Sequence, residues 1–340
     1  LRILRAMSFF GGLVSGGLKV DIILEDPGDN DKIVTMHHPP SWKLRKNPFW
    51  RVGSVAPSNG ELVYEALQEI KGKVRLTLPH GKKADHLGIK LQFVGRIDMG
   101  HGIHDGRPHY DFISLSRELS PPGSLLQPLV EIPFSFRNVD KEFESYVGRN
   151  VAVRYFIKVI LERKFLPPIT KERDIWIQFL MEPPETNDPL KLEVGIEDCL
   201  HLEFQFERRS YHLQDVIVGE IQFLLVRIKI KHMELAVIRR ETSGEGVAAV
   251  VGDITTQSQN IFTETQTLVK YEIMDGCPWA KDSIPVRLHL AGIPADLTPT
   301  YTAVNNRFSV RYYLNLVLID EEDRRYFKQQ EIILWRKTLG

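Results

Sequence analysis

One patterned stretch that occurs twice limits the folds open to this chain more than any other feature. From Phe308 to Leu318 apolar and polar residues alternate: Phe308, Val310, Tyr312, Leu314, Leu316 and Leu318 fall on one face, and Ser309, Arg311, Tyr313 and Asn315 on the other. A period of two marks a half-buried strand. The pattern breaks at Asp320-Glu321-Glu322-Asp323-Arg324-Arg325, a run too charged to bury and long enough to turn, then resumes through Tyr326, Phe327, Ile332, Ile333 and Trp335. Val151, Val153, Tyr155, Ile157, Val159 and Leu161 alternate in the same way, with Arg154, Phe156 and Lys158 expected to face outward. Tyr155 falls on Tyr312, an offset of 157 (312 minus 155).

Three further landmarks recur in the same order. Gly219 to Phe223 echo Gly72 to Leu76 (219 minus 72 is 147), and His232 with Met233, Leu235 and Val237 echoes His86 with Ile89, Leu91 and Phe93 (232 minus 86 is 146). Ile284-Pro285-Val286 echoes Ile132-Pro133-Phe134 (284 minus 132 is 152). Self-similarity in one order points to two copies of one unit, and 340 residues is more than one core usually holds. Short strands separated by turn signals make each copy an all-β sandwich. The stretch Glu182-Pro183-Pro184-Glu185, rich in proline and acid, sets the boundary, with domains at 7–182 and 183–340; residues 1–6 precede a plausible start at Met7.

Within this frame residues 18–24 read as a first strand and 36–59, with four prolines, Trp42 and Trp50, as a mobile insert. Leu62, Val63, Ala66, Leu67 and Ile70 fit a short amphipathic helix. Apolar positions switch from odd (Ile221, Phe223, Leu225) to even (Val226, Ile228, Ile230), which predicts a bulge between Leu224 and Arg227. Residues 241–267, poor in large apolar side chains, read as a loose loop before Tyr271.

Composition excludes several functions. The 44 basic and 44 acidic residues cancel, so nucleic acid or lipid could be held only by a local patch. Cys199 and Cys277, the only cysteines, and the lack of any Asn-x-Ser/Thr favour a reducing, cytosolic setting; no apolar run is long enough to span a membrane. No phosphate-binding glycine loop or hydrolase elbow occurs. His101, His104, Asp105 and His109 could ligate zinc, but Gly102, Gly106 and Pro108 among them favour a solvated turn. Asp320 to Asp323 could hold calcium but lack the glycine such loops need, so a hairpin tip is the better reading. Arg227, Lys229 and Lys231 form a basic stripe on one strand face, suited either to contact with acidic lipid or a partner or to an ordinary wet face. Tyr271-Glu272-Ile273-Met274-Asp275-Gly276 puts two large apolar side chains beside a turn signal, either buried in their own sandwich or exposed as a partner anchor.

Several motifs carry a resemblance: Met7-Ser8-Phe9-Phe10-Gly11-Gly12, Lys191-Leu192-Glu193-Val194-Gly195-Ile196-Glu197-Asp198-Cys199, Tyr211-His212-Leu213, Tyr271 to Gly276, and the run from Phe308 to Lys337. The chain resembles the vacuolar protein sorting-associated protein 26 family from Met7 to its end. The resemblance implies two tandem arrestin-like, immunoglobulin-like β-sandwich domains and a non-enzymatic role without metal or cofactor. The protein would be a subunit of retromer, a cytoplasmic coat peripheral to endosomal membranes that retrieves membrane proteins to the Golgi or cell surface. It implies that Ile273, Met274, Asp275 and Gly276 dock on the helical-solenoid subunit. It also implies that sorting nexins and cargo tails meet a groove at Val194 and Phe327, and it is compatible with a homodimer on the membrane. The chain departs from the family in its longer insert at 36–59, in Ala66-Leu67 where Asp-Gly is expected, and in lacking the polar tail that usually follows the Trp-Arg-Lys end, which reads as truncation at Gly340. Its rivals are an arrestin-type adaptor for phosphorylated receptors, which would need a cationic cradle, and a metal-dependent hydrolase built on the histidine loop.

Overall fold

The computed structural model describes residues 17–25, 63–100, 109–244, 261–293 and 297–336. The described residues divide into two compact units, the first ending at Phe179 and the second beginning at Leu180. Both are built of strands; the helical content of the described residues is one short 3-10 turn, Leu290–Gly292. The insert at 36–59 lies outside the described residues.

The first unit runs β1 (Lys19–Leu24), β2 (Val63–Glu65), β3 (Ile70–Thr77), β4 (Ala84–His86), β5 (Gly88–Met99), β6 (His109–Ser120), β7 (Gly123–Leu125), β8 (Leu129–Phe136), β9 (Tyr146–Val147), β10 (Val151–Glu162) and β11 (Ile169–Gln178). Strands β1-β3-β8 form one sheet and β2-β11-β10-β5-β6 the other, with β9 added to β10 and β4 paired to β7. Alternation in β5 and β10 makes the core: Ile89, Leu91, Phe93, Ile97, Val151, Tyr155, Ile157 and Val159 are fully buried. Each such side chain contributes about 1.5–3 kcal/mol relative to exposure. The Phe93 and Phe136 rings, 5.5 Å apart, join the two sheets across the interior.

The second unit repeats this plan: β12 (Leu190–Ile196), β13 (Leu200–Phe206), β14 (Ser210–His212), β15 (Val216–Val226), β16 (Ile230–Gly244), β17 (Ile261–Asp275), β18 (Ser283–His289), β19 (Tyr301–Val304), β20 (Phe308–Asp320) and β21 (Arg325–Trp335). Its sheets are β12-β13-β15-β18 and β14-β21-β20-β16-β17, with β19 on β20. The likeness extends to single atoms. Short strands β2 and β14 run parallel to β11 and β21, placing the buried Tyr64 beside Ile177 and the buried Tyr211 beside Leu334. Ser145 exchanges bonds with Ile177, its N–H donating to the Ile177 carbonyl and its Oγ accepting from the Ile177 N–H, both at 2.9 Å. Thr300 does the same with Leu334, at 2.8 and 2.9 Å. The chain is therefore an all-β pair of arrestin-like sandwiches, as its repeated landmarks require.

The predicted bulge is present. Leu202 pairs with Phe223 and His201 with Leu225, leaving Leu224 as the extra residue of β15. Three other expectations fail for identifiable reasons. Residues 63–70, the described part of the expected helix, form no helix: β2 ends at Glu65, a turn follows, Leu67 is 82% exposed and β3 starts at Ile70. The buried Lys141 ammonium donates to the carbonyls of Ala66 (2.6 Å) and Gln68 (2.8 Å), and burial pushes it down to about 8. Phe156 does not face solvent; the guanidiniums of Arg96 and Arg154, each 5.3 Å from its ring centre, lie against it and it is fully buried. Residues 241–244 and 261–267, read as loop, extend β16 and β17 as far as the Gly244–Ile261 pair.

Gly72 and Gly219 sit at the same place in β3 and β15. A Cβ on Gly72 would strike the Ile23 carbonyl, and one on Gly219 would lie 2.6 Å from the Gln205 carbonyl and 2.8 Å from the Phe204 ring. Because the obstacles include backbone, alanine at either position should cost about 1–3 kcal/mol. Urea melts of Gly72→Ala and Gly219→Ala test this, and an unchanged midpoint in both would contradict it.

Candidate functional site

The end of β17 is the surface at which the second unit is least finished. Among the described residues β17 is the outer strand of its sheet, so one row of its backbone N–H and C=O groups has no neighbouring strand there. Its pairing with β16 slips near the end: Met233 faces Met274 while Glu234 faces Glu272, which leaves Ile273 as an inserted residue. Strict alternation would bury one of Ile273 and Met274 and expose the other. A bulge re-aims side chains, and here both residues are half-buried. Sequence reasoning placed this pair beside a loop tip; the structure puts both inside a strand.

Beyond the bulge Gly276 turns the chain at φ 92°, which side-chain-bearing residues rarely adopt, and donates to the Lys231 carbonyl at 2.8 Å. An open groove of about 260 Å³ follows, lined by Met274, Gly276, Cys277, Pro278, Asp282 and Ile284 among others. Its rim is fixed. The Trp279 N–H donates to Asp282 Oδ2 at 2.7 Å, while the Lys281 N–H donates to the Phe223 carbonyl and the Phe223 N–H to the Asp282 carbonyl, at 2.6 and 2.9 Å. On this anchored turn the Trp279 indole is 81% exposed. Sequence reasoning passed over Trp279 because a lone aromatic in a loop belongs to no period. Its signal was composition: a tryptophan between proline and a polar turn has little to pack against.

The other candidate residues are dispersed. Val194 is buried in β12, an outer strand of the four-stranded sheet, and Phe327 lies 67% exposed in β21. The basic stripe is not a strand face: residues 227–229 form the β15–β16 connection, with Arg227 donating to the Asp198 carbonyl, Lys229 paired to Glu321 and Lys231 to Asp323. His109 opens β6 in solvent, the rest of its loop lies outside the described residues, and no cluster of three metal-ligating side chains occurs among those described. Cys199 and Cys277 are free thiols.

The hairpin tip corrects the reading of its charges, because Asp320 is buried. It accepts from the backbone N–H groups of Glu322 (3.0 Å) and Arg324 (2.9 Å), from Arg324 Nε (2.7 Å) and from the Tyr326 hydroxyl (3.1 Å). Burial opposes its charge, but the bonds from Arg324, Tyr326 and the backbone outweigh it and hold the carboxyl below its ordinary value. A carboxylate engaged in this way organises the turn and leaves little room for calcium.

A family model described as vacuolar protein sorting-associated protein 26 matches residues 55–323. The chain is 45% identical to the vacuolar protein sorting-associated protein 26 of Plasmodium falciparum over 333 residues, covering 98% of this chain and 99% of that protein. It is 50% identical to the human vacuolar protein sorting-associated protein 26B over 332 residues, covering 97% of this chain and 88% of that one. The Dictyostelium discoideum relative is 49% identical over 276 residues, 81% of this chain and 74% of its own length.

Because the Asp320 carboxyl is depressed, the stability it contributes is complete above about pH 4, the unfolded value, and is lost as pH falls through its lower folded value. Asp320→Asn should melt below the wild type at neutral pH, and the gap should narrow below about pH 4. Thermal melts from pH 7 to pH 3 check this; a gap constant with pH would refute it.

Proposed function

We propose, from the premise that the chain belongs to the vacuolar protein sorting-associated protein 26 family and so serves vacuolar protein sorting, that it is the non-enzymatic arrestin-like subunit of the retromer cargo-recognition core. In this reading it acts from the cytoplasm at the endosomal membrane, holding the helical-solenoid subunit on one surface and sorting nexins with cargo tails on another. The observation that carries the reading is the bulged end of β17, where successive apolar side chains, Ile273 and Met274, stay half-buried at an open strand edge beside a groove. An α-helical partner can insert apolar side chains into such a groove. Asp275 and Gly276 end the strand and aim the turn rather than supply area. Exposed Trp279 enlarges the apolar patch, and tryptophan is a common anchor of interfaces.

Cargo recognition is assigned to the outer strand β12 and to Phe327. An extended tail can add to the β12 edge through main-chain bonds. Val194 then sets the position of that edge from inside, and Phe327 offers the exposed apolar contact. The arrestin-type alternative is disfavoured because Lys229 and Lys231, its best cationic cradle, are occupied by Glu321 and Asp323.

Replacing the pair, Ile273→Asp with Met274→Asn, should abolish co-elution with the purified retromer solenoid subunit on a sizing column and leave the melting temperature within about 3 °C of wild type. Loss of folding would show that the pair is core, and retained co-elution would move the interface elsewhere.

A further inference from the structure

The strand register gathers three stretches of loop at one end of the first unit. The β10–β11 turn, 163–168, follows the Glu162–Gly88 pair, and the Leu87 N–H donates to the Glu162 carbonyl at 2.8 Å. Ile89 faces Ser120, Ala84 faces Leu125, and the Leu78 N–H reaches the Pro128 carbonyl, so residues 78–87 and 121–128 share that end. These loops carry large apolar side chains that the core does not use. Phe165 is 88% exposed, Leu126 71%, and Leu166 and Leu87, with Leu129 at the start of β8, are exposed as well. Scattered single residues of this kind are ordinary, whereas several from separate loops on one end form a patch.

The turn is braced. Arg163 donates through Nε and Nη2 to the Pro167 carbonyl at 2.9 and 2.5 Å, and Pro167 and Pro168 restrict the returning chain. Phe165 and Leu166 are thus held outward at little further entropic cost. The charge around them is one-sided. Asp85 and Glu162 are taken by Lys83 (3.2 Å) and Lys90 (2.9 Å), while Lys82, Arg163 and Lys164 have no carboxylate partner among the described residues. Lys164 instead lies 5.3 Å from the centre of the Phe165 ring.

We propose that this end is a lipid-contact surface, with Phe165 and Leu166 entering the headgroup layer of an anionic bilayer and Lys82, Arg163 and Lys164 meeting its phosphates. An apolar tip accompanied at the same end by cations without a carboxylate partner fits an interface that is negative outside and oily beneath. The surface belongs to the first unit and the proposed partner-docking end of β17 to the second, so either assignment can fail alone.

The experiment is flotation of the full chain with vesicles of phosphatidylcholine alone or with one-third phosphatidylserine. Binding should require phosphatidylserine, weaken as salt rises, and fall about tenfold or more in Phe165→Asp with Leu166→Asp, with an unchanged melting temperature. Lys164→Glu should weaken it while leaving the apolar tip intact. In Phe165→Trp, lipid brominated near the headgroup should quench the added fluorescence. Absence of flotation, equal flotation of the double variant, or flotation without such quenching would overturn the proposal. So would concentration-dependent self-association in sedimentation that the double variant abolishes without vesicles, which would make the patch a contact between copies of the chain.

Discussion

A hydroxyl buried beneath the middle strand of a sheet must find a partner, because leaving it unpaired costs about 1–3 kcal/mol. Tyr155 and Tyr312 occupy that position in the two units, each fully buried on a strand with neighbours on both sides. The Tyr155 hydroxyl donates to the Phe143 carbonyl at 2.7 Å and accepts from the Phe143 N–H at 3.1 Å; the Tyr312 hydroxyl accepts from the Thr298 N–H at 3.0 Å. Each ring thus fills the core and its tip fixes the segment leading to the short added strand β9 or β19. The rest of each unit depends on this middle strand: the flanking strands take register from it, and the facing sheet covers its apolar side.

Where the frame ends, function has room. Inner strands spend their backbone groups on neighbours and their alternate side chains on the core, leaving no freedom for a partner. Among the described residues the outer strands β12 and β17 lack a neighbour on one side, and in β17 the bulge at Ile273 breaks the alternation that would otherwise sink one of two adjacent apolar side chains. One inserted residue therefore converts the end of a polar strand into an apolar feature. The turn beyond it gains its rigidity from bonds to β15 at Phe223, itself next to the bulge at Leu224. The bulges at Leu224 and Ile273 thus lie on the two strands, β15 and β17, that hold the turn bordering the groove.

Such physics decides what could be read without coordinates. The alternation through β10 and β20, the paired glycines and the slip at Leu224 are covalent facts of period and spacing, and the fold follows them. Failures occurred where a side chain's fate depends on something distant in sequence. The turn at 66–68 is held by Lys141, more than seventy residues away; Phe156 is covered by Arg96 from another strand; and the polar end of β16, buried at Glu241, Thr242 and Ser243, and the more exposed end of β17 are strands because they pair with each other. The candidate site was half legible. Ile273 and Met274 stood out as apolar residues beside a turn, but the bulge that makes them usable arises only from register with Met233 and Glu234.

Duplication also isolates what the frame leaves free. The β10–β11 and β20–β21 turns occupy equivalent places, yet their chemistry is opposed. The second folds around Asp320 and returns Glu321 and Asp323 to Lys229 and Lys231, so its charges are satisfied within the unit. The first closes through Arg163 on a backbone carbonyl, which leaves that guanidinium's charge uncancelled, and it points Phe165 and Leu166 into solvent. Since the two turns close on equivalent strands by different means, the fold itself dictates neither charge pattern. A turn that spends its charges internally has little to offer a surface, and one that keeps cations and apolar side chains outward retains the chemistry that an anionic interface can use.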